Sequence, residues 1–276
     1  YLFLIIALIV VIVPLLFVLA SSFSSSRAVA AGRVLLWPVE PSLEGYKAVF
    51  RNDRLLRGFF NSIFYASANI ILNLFMLLLA SYPLSKRDLK YSKHIMFLFT
   101  FTMFFSGGMI PTYLAINWLG MYDTIWAVVL PGALNAWNLI IMRSFFIAYP
   151  TEIEESGQID GLNDLGILWY LVLPTSTAVT ATIGLFYAVG LWNAFFGPFI
   201  YLRDNSKYPL QVILRQIVLK GEAIDAEMIL SSGKEIIAED SIKYATIIVS
   251  IVPIILAYPY LQKYFVKGVM IGSIKG

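Results

Sequence analysis

Residues 150–174 read PTEIEESGQIDGLNDLGILWYLVLP, a hydrophilic segment that continues into an apolar run. Thr151 and Glu154 have the three-residue spacing of a capping box, which begins a helix. Gly161 can adopt the left-handed conformation that ends a helix, and Asn163 can cap a second helix beyond it. The stretch therefore predicts two short helices joined by a tight glycine turn.

Long intervals without Asp, Glu, Lys or Arg lie on both sides of this stretch and recur along the chain. A helix of about 20 residues crosses the ~30 Å hydrocarbon core of a bilayer, and each interval is long enough to do so. Pro111 indicates a helix end near residue 110, and Pro174 indicates that a new helix starts beyond it. The first span is expected to be a retained helix and not a signal peptide, because its apolar run is too long. The predicted helices are 2–20, 60–83, 95–111, 124–147, 175–200 and 243–263.

The composition agrees with a chain that is solvated mostly by lipid. Of the 276 residues, 59% are hydrophobic and 13% are charged, whereas a soluble domain is about half apolar and a quarter charged. The absence of cysteine excludes a disulfide scaffold, and a net charge of +3 is too small to indicate nucleic-acid binding. The predicted fold class is all-α: a polytopic membrane protein in which residues 1–276 form a single transmembrane domain with six transmembrane helices.

The distribution of lysine and arginine predicts the orientation of the chain in the membrane. Six spans place both termini on one side, and loop 84–94 on that side carries four basic residues against Asp88 alone. The positive-inside rule therefore predicts cytoplasmic termini. Loop 150–173 on the same side runs against this rule, because no Lys or Arg occurs between Arg143 and Arg203. Its acidic residues are Glu152, Glu154, Glu155, Asp160 and Asp164. Because the rule predicts basic residues on this side, an acidic loop there indicates a functional role for the loop.

Residue patterns of known active sites are missing from the sequence. The segment 232–235 is the nearest approach to a phosphate-binding loop, but it lacks the preceding glycine and the hydroxyl residue. His94 is the only histidine and has no cysteine or second histidine with which to share a metal. The predicted spans contain almost no ionisable residues, which disfavours an ion-coupled secondary transporter. We therefore expect no enzyme active site and no metal in this chain.

Amide and aromatic side chains are the polar groups that the predicted spans do contain. Asn69 and Asn73 are four residues apart and share one helix face. Such groups can bind sugars, because amides hydrogen-bond to hydroxyls and aromatic rings pack on the apolar faces of pyranoses. The alternative is that they form hydrogen bonds between helices. The candidate substrate-path residues are Asn69, Asn73, Trp137, Asn138, Tyr187, Trp192 and Asn193.

The segment Glu155–Gly161, followed by Leu171–Pro174, resembles the EAA loop of permease subunits in binding-protein-dependent ABC importers. Ser156 and Gly157 replace the two alanines of that motif but remain small. The glycine and the closing Leu-Pro pair have the usual spacing, and the loop lies between the fourth and fifth of the six predicted spans, as in that family.

Further matches extend the resemblance across most of the chain. Trp37-Pro38, Gly107–Thr112, Trp192-Asn193 and Lys267–Gly272 look like the carbohydrate-uptake branch of the family. Within that branch the sequence is most similar to the second, six-helix permease of the maltose importer. It looks closest to a subgroup that handles oligosaccharides, including acidic ones such as alginate fragments.

The resemblance implies the type I ABC importer permease fold and a subunit that forms the path for a carbohydrate. It implies as partners a homologous second permease, two ATPase subunits that bind ATP and Mg, and an extracytoplasmic solute-binding protein, all acting at a bacterial cytoplasmic (inner) membrane. An ion-coupled secondary transporter and a structural membrane scaffold are the alternatives. The residues that the resemblance assigns to the ATPase-coupling loop, 150–174, are Glu154, Glu155, Ser156, Gly157, Asp160, Gly161, Leu173 and Pro174.

Overall fold

The computed structural model describes residues 1–220 and 239–273, and the regular elements in these ranges are helices. The first eight are α1 (Leu2–Ser22), α2 (Ser26–Ala30), α3 (Glu44–Arg51), α4 (Asp53–Ser85), α5 (Ser92–Phe104), α6 (Met109–Trp118), α7 (Ile125–Val129) and α8 (Ala136–Ile147). The others are α9 (Thr151–Ile159), α10 (Asp164–Gly166), α11 (Leu173–Thr175), α12 (Thr177–Trp192), α13 (Phe196–Tyr201), α14 (Leu210–Lys220) and α15 (Glu239–Ser273). A π-helix covers Ile167–Val172, and 3₁₀ turns cover Leu130–Gly132 and Asn205–Lys207. The all-α prediction is therefore confirmed for the described ranges.

Three helices are individually long and apolar enough to cross a membrane: α1, α4 and the Ser241–Pro259 part of α15. Three further crossings arise if each of three bent helix pairs counts as one span. The pairs are α5 with α6, bent by 118°, Ile125–Gly132 with α8, bent by 51°, and Asp164–Thr175 with α12, bent by 86°. By length and composition, the described residues thus hold between three and six spans.

The structure divides the predicted helix 95–111 in two. α5 ends at Phe104, and α6 begins at Met109 after a break in which Gly108 has a φ of +83°. Pro111 lies in the first turn of α6. The first N–H groups of a helix have no intrahelical acceptor, so a proline is tolerated there. The proline that was expected to end a helix therefore stands at the start of one.

The predicted helix 124–147 is also interrupted. The side chain of Asn135 accepts the backbone N–H of Asn138 at 3.1 Å and caps α8 as a new helix. Asparagine favours such caps over a helix interior because its side chain competes for backbone hydrogen bonds.

The predicted helix 175–200 is shorter in the structure. It corresponds to α12, which ends at Trp192, and α13 follows as a separate helix. The predicted ranges 2–20, 60–83 and 243–263 lie inside the longer helices α1, α4 and α15.

The chain forms two compact units. The first contains Tyr1–Ile63 and Ala194–Leu256, and the second contains Phe64–Asn193 and the chain from Ala257 onward. The loop 150–174 and all seven candidate substrate-path residues belong to the second unit.

Close contacts hold the first unit together. A Cβ at Gly45 would lie 2.7 Å from the backbone oxygen of Ser241, so only glycine allows this approach. The hydroxyl groups of Ser26 and Ser241 are 2.6 Å apart, within hydrogen-bonding distance.

The core of the second unit is formed by α4, α8, the π-helix and α12. Its most deeply buried apolar side chains are Leu77, Leu139, Met142, Ile167, Leu168, Val172 and Ile183. Because the π-helix contributes to this core, the second half of the loop 150–174 is packed against the helices and is not a free surface loop.

Candidate functional site

The first helix of the loop 150–174 is α9, which begins at Thr151. Its amino-terminal cap is Pro150, and no side chain forms a cap hydrogen bond. The predicted capping box between Thr151 and Glu154 is therefore wrong. The carboxylate of Glu154 instead forms an ion pair with Lys86, a residue that follows α4. The nearby ammonium group provides a stronger partner than a backbone N–H.

The glycine turn after α9 has the predicted conformation. Gly161 has a φ of +81°. The backbone N–H of Leu162 donates to the carbonyl of Gly157 at 2.9 Å, and that of Gly161 donates to the carbonyl of Gln158 at 3.0 Å. These two hydrogen bonds are those of a Schellman motif, which satisfies the last carbonyls of a helix.

The return segment of the loop leads from the turn back to the helix bundle. Asn163 Oδ1 accepts the backbone N–H of Gly166 at 2.8 Å, which confirms the predicted cap. The segment then widens into the π-helix, a form often found at functional sites. Leu173 and Pro174 follow in α11, directly before the 86° bend into α12.

Gly157 is buried where α9 packs on the return segment. A Cβ at this position would lie 2.6 Å from Leu171 Cδ1 and 3.2 Å from Ile167 Cγ1. The hydroxyl of the neighbouring Ser156 donates to the carbonyl of Ile153 at 2.8 Å, so it stays on its own helix. The packing of the two segments therefore requires a very small residue at position 157.

The outer surface of α9 carries groups that a partner protein could contact. The carboxylates of Glu155 and Asp160 are exposed, and neither has a hydrogen-bond or ion-pair partner among the described residues. Ile159 is 87% exposed at the end of the helix. Sequence reasoning missed Ile159, although an isoleucine directly before an Asp-Gly turn is a detectable signal.

A cavity of about 550 Å³ lies between α4, the segment that leads into α8, and α12. It brings together five of the seven candidate substrate-path residues and excludes Trp192 and Asn193, which lie at the carboxyl end of α12. Phe186, which sequence reasoning missed, also lines it. The polar and aromatic residues of the cavity are Asn69, Asn73, Asn135, Trp137, Asn138, Phe186 and Tyr187.

The amides of the cavity differ in whether they already have partners. Asn69 Nδ2 donates to the backbone carbonyl of Tyr187 at 3.1 Å, and Asn73 Nδ2 donates to Asn69 Oδ1 at 2.6 Å. The first bond links α4 to α12, which is the alternative role considered above, and the second lies within α4. Asn73 Oδ1 accepts no hydrogen bond from the described residues, and the side-chain amide of Asn138 has no partner there. The unpaired side-chain amide of Asn138 is thus free to bind a ligand, whereas Asn73 Oδ1 is itself buried.

The aromatic residues of the cavity fall into two groups. Trp137 is 58% exposed and Phe186 is 44% exposed, so both rings offer apolar surface to a ligand. Tyr187 is almost buried and packs into the core of the unit. The described lining residues include no Asp, Glu, Lys, Arg or His. The wall therefore combines neutral hydrogen-bonding groups with flat apolar surface.

These features define a class of protein. Apolar helices suited to a membrane border an open cavity with neutral polar and aromatic lining residues, and an acidic loop with an exposed surface packs on the same helices. Within the described ranges, no group of three or more His, Cys, Asp or Glu side chains could hold a metal ion. The fold and site are those of a polytopic membrane transport protein.

Comparison with known proteins gives the family. No profile of a protein family matches the chain. The polygalacturonan/rhamnogalacturonan transport system permease protein YtcP of Bacillus subtilis is 42% identical over 276 residues, covering 100% of this chain and 96% of that protein. The arabinooligosaccharides transport system permease protein AraQ of Halalkalibacterium halodurans is 25% identical, over 97% of this chain and 92% of that protein.

A solved structure agrees with these relatives. A chain in the crystal structure of a bacterial ABC transporter involved in the import of the acidic polysaccharide alginate matches with a TM-score of 0.89 and 32% identity, covering 96% of this chain and 94% of that chain. The protein therefore belongs to the permease subunits of bacterial carbohydrate ABC transporters, as its loop indicated. Such a subunit is not itself an enzyme.

Proposed function

We propose that this chain is one of two permease subunits in an importer that moves an acidic oligosaccharide across the bacterial cytoplasmic membrane. A homologous second permease completes the path, and an extracytoplasmic solute-binding protein delivers the sugar. Two ATPase subunits bind ATP and Mg and act on the loop 150–174, which we call the coupling loop. The chain contributes six membrane spans, and both termini are cytoplasmic.

The cavity between α4 and α12 is the observation that carries the proposal. The side-chain amide of Asn138 can hydrogen-bond to sugar hydroxyls, and the rings of Trp137 and Phe186 can pack on pyranose faces. A cation site would need carboxylates or clustered carbonyl oxygens. A lipid site would be lined by hydrocarbon. The combination of an unpaired amide with exposed rings favours a carbohydrate.

The acidic nature of the substrate is proposed from the relatives. YtcP is named for polygalacturonan and rhamnogalacturonan, and the structural relative imports alginate, an acidic polysaccharide. Galacturonan and alginate share uronic acid units. Because the cavity of this chain has no basic lining residue among those described, the second permease or the outer loops supply the groups that neutralise the carboxylates.

The proposed orientation is supported by the ion pair between Lys86 and Glu154. It joins the basic segment after α4 to α9, so both lie on one side of the membrane. The positive-inside rule favours the cytoplasm for a loop with several lysines, and ATPase subunits can act on the coupling loop only from that side.

Transport by the reconstituted complex tests the proposed function. The complex is isolated with its native partners, which are identified by mass, and is placed in proteoliposomes with the solute-binding protein. ATP should drive uptake of labelled oligogalacturonate, and a proton or sodium gradient without ATP should not. Uptake that needs only the ion gradient, or a complex without ATPase subunits, would contradict the proposal.

Replacing Asn138 with alanine should reduce oligogalacturonate uptake three- to tenfold. A hydrogen bond from this amide to the sugar contributes about 0.5–1.5 kcal/mol. The Asn138 side chain forms no hydrogen bond within the described chain, so the substitution breaks none there. Its backbone N–H keeps the Asn135 cap, so α8 should remain folded. Uptake is measured per amount of purified complex.

The matched control for this substitution is Asn193→Ala, because Asn193 is exposed and lies outside the cavity. It should leave uptake unchanged. Equal losses in the two variants would mean that the cavity amide does not bind the sugar.

Replacing Ile159 with serine should weaken the association with the ATPase subunits by at least tenfold. Burying an isoleucine side chain in an interface stabilises it by roughly 1.5–3 kcal/mol, and Ile159 is 87% exposed in this chain. Ile110→Ser on α6 is the control, since Ile110 is also an exposed isoleucine. Co-purification at increasing salt measures the effect, and identical retention of ATPase subunits in both variants would rule out docking through Ile159.

A further inference from the structure

Lys86 and Glu154 form an ion pair that joins two distant parts of the second unit. Lys86 follows the carboxyl end of α4, and Glu154 lies in the first turn of α9. Their side chains are 26% and 18% exposed. Partial burial of both partners distinguishes this pair from an ordinary surface salt bridge, which contributes little.

The surroundings of Lys86 hold its ammonium group in place. The Nζ atom lies 4.2 Å from the centroid of the Tyr82 ring, a cation–π geometry. Burial alone would lower the pKa of Lys86, but the hydrogen bond to the Glu154 carboxylate and the electrostatic contacts with Glu154 and Tyr82 outweigh burial and raise the pKa above the usual value. The contribution of a raised lysine pKa is present below the ordinary pKa of lysine and is lost only as the pH rises through the higher folded value. The group therefore stays charged throughout the neutral range.

The carboxyl end of α4 is anchored to its neighbours. The carbonyl of Leu84 accepts hydrogen bonds from Arg143 Nε at 2.7 Å and from the Ser92 hydroxyl at 3.1 Å. These bonds attach the end of α4 to α8 and α5. The Lys86–Glu154 pair adds α9 to the same junction, so the coupling loop contacts the helix that carries Asn69 and Asn73.

α9 is thus connected to both walls of the cavity. One connection follows the chain, through the π-helix and the 86° bend into α12. The other passes through the ion pair to α4, on which Asn73 lies about 20 Å from Lys86 at 1.5 Å per residue. If the bend were the only connection, a displacement of α9 would move α12 directly. The α4 wall of the cavity would then follow only through side-chain packing.

We propose that Lys86 is a positioning residue, which by holding Glu154 fastens α9 to the end of α4, so that displacement of the coupling loop moves the two cavity walls together. This inference rests on the proposed function, because it takes α9 to be the helix on which the ATPases act. It also changes the role expected for Glu154: its carboxylate faces Lys86 of its own chain and is not a contact with the ATPase.

Functional measurements on the complete complex in proteoliposomes test this role. Lys86→Gln and Glu154→Gln should each lower the sugar transported per ATP hydrolysed at least tenfold, with the ATPase subunits still bound. Lys86→Arg should retain most of the transport. The exchanged pair Lys86→Glu with Glu154→Lys should restore at least a third of it. Lys93→Gln and Asp88→Asn, which alter exposed charges near Lys86 in sequence but outside the coupling loop, should have no effect.

A distance measurement separates positioning from simple stabilisation. The chain has no native cysteine, so Met76→Cys on α4 and Glu152→Cys on α9 can carry two spin labels. The distance between them should stay unchanged when ATP is added to the complex with the ion pair intact. It should lengthen or broaden on ATP addition in the Lys86→Gln background.

Different results identify which proposal fails. An unaltered complex that shows no ATP-driven saccharide uptake would overturn the proposed function. Two results would overturn the positioning role, provided that the unaltered complex is active. One is normal transport per ATP in Lys86→Gln. The other is a label distance that is the same in both backgrounds, with and without ATP. Failure of the exchanged pair to improve on the single charge reversals would overturn it as well.

Discussion

Replacing Gly161 with valine is expected to reduce ATP-driven uptake at least tenfold while the chain still inserts into the membrane. Gly161 has a φ of +81°, and the left-handed conformation costs an L-residue roughly 1–2 kcal/mol, with the highest cost for β-branched side chains. No atom lies within 4 Å of a Cβ built at this position, so the effect would come from the backbone alone. The turn would relax toward another conformation and displace the exposed side chain of Ile159 at the end of α9.

Gly120 provides a matched control for backbone strain. It also has a positive φ, +68°, and open space where a Cβ would stand, but it lies after α6 and outside the coupling loop. Gly120→Val therefore imposes a similar local strain at another site. Uptake per complex and ATPase co-purification are measured in both variants. Equal effects would show that strain, not the coupling loop, is responsible, and normal uptake in Gly161→Val would contradict the docking role.

The glycine turn was predictable because its interactions are local. Gly161, Asn163 and the groups they satisfy lie within a few residues of one another, so the residue types and their order contain the needed information. The existence of apolar helices was predictable for a similar reason, since a long interval without charge suffices to indicate each one.

The breaks inside the predicted helices depend on less visible features. Gly108 and Asn135 each begin a new helix inside an apolar range, and hydrophobicity does not distinguish a straight span from a bent pair. The resulting bends are 118° and 51°. A prediction that counts charge-free residues therefore identifies the ranges but not the helix ends.

The cavity and the ion pair depend on contacts between distant residues. Lys86 and Glu154 are 68 positions apart, and the local pattern assigned Glu154 to a cap. Trp192 and Asn193 have the chemistry of substrate-path residues, yet neither lines the cavity, whose last lining residue on α12 is Leu191. Residue type identified candidates, and only the fold determines which of them share a wall.

Replacing Gly157 with valine is expected to abolish most ATP-driven uptake, because it separates the two segments of the coupling loop. A Cβ at this position would already lie 2.6 Å from Leu171 Cδ1 and 3.2 Å from Ile167 Cγ1, and valine adds two further methyl groups. Overpacking of this kind costs about 1–3 kcal/mol. Since Ile167 belongs to the buried core, α9 would have to move away, and the Glu154–Lys86 ion pair would be broken with it.

The side chain of Leu171 makes this prediction testable by rescue. Gly157→Ala should have a smaller effect than valine, because the closest atom is the end of a flexible leucine side chain that can change rotamer. Leu171→Ala removes that atom and should restore uptake in Gly157→Ala to within about twofold of the unaltered complex. It should restore little in Gly157→Val, because the contact with Ile167 remains. The measurement is uptake per amount of complex. A fully active Gly157→Val variant would show that close packing at Gly157 does not control the coupling loop. So would a Gly157→Ala variant whose uptake is not improved by Leu171→Ala.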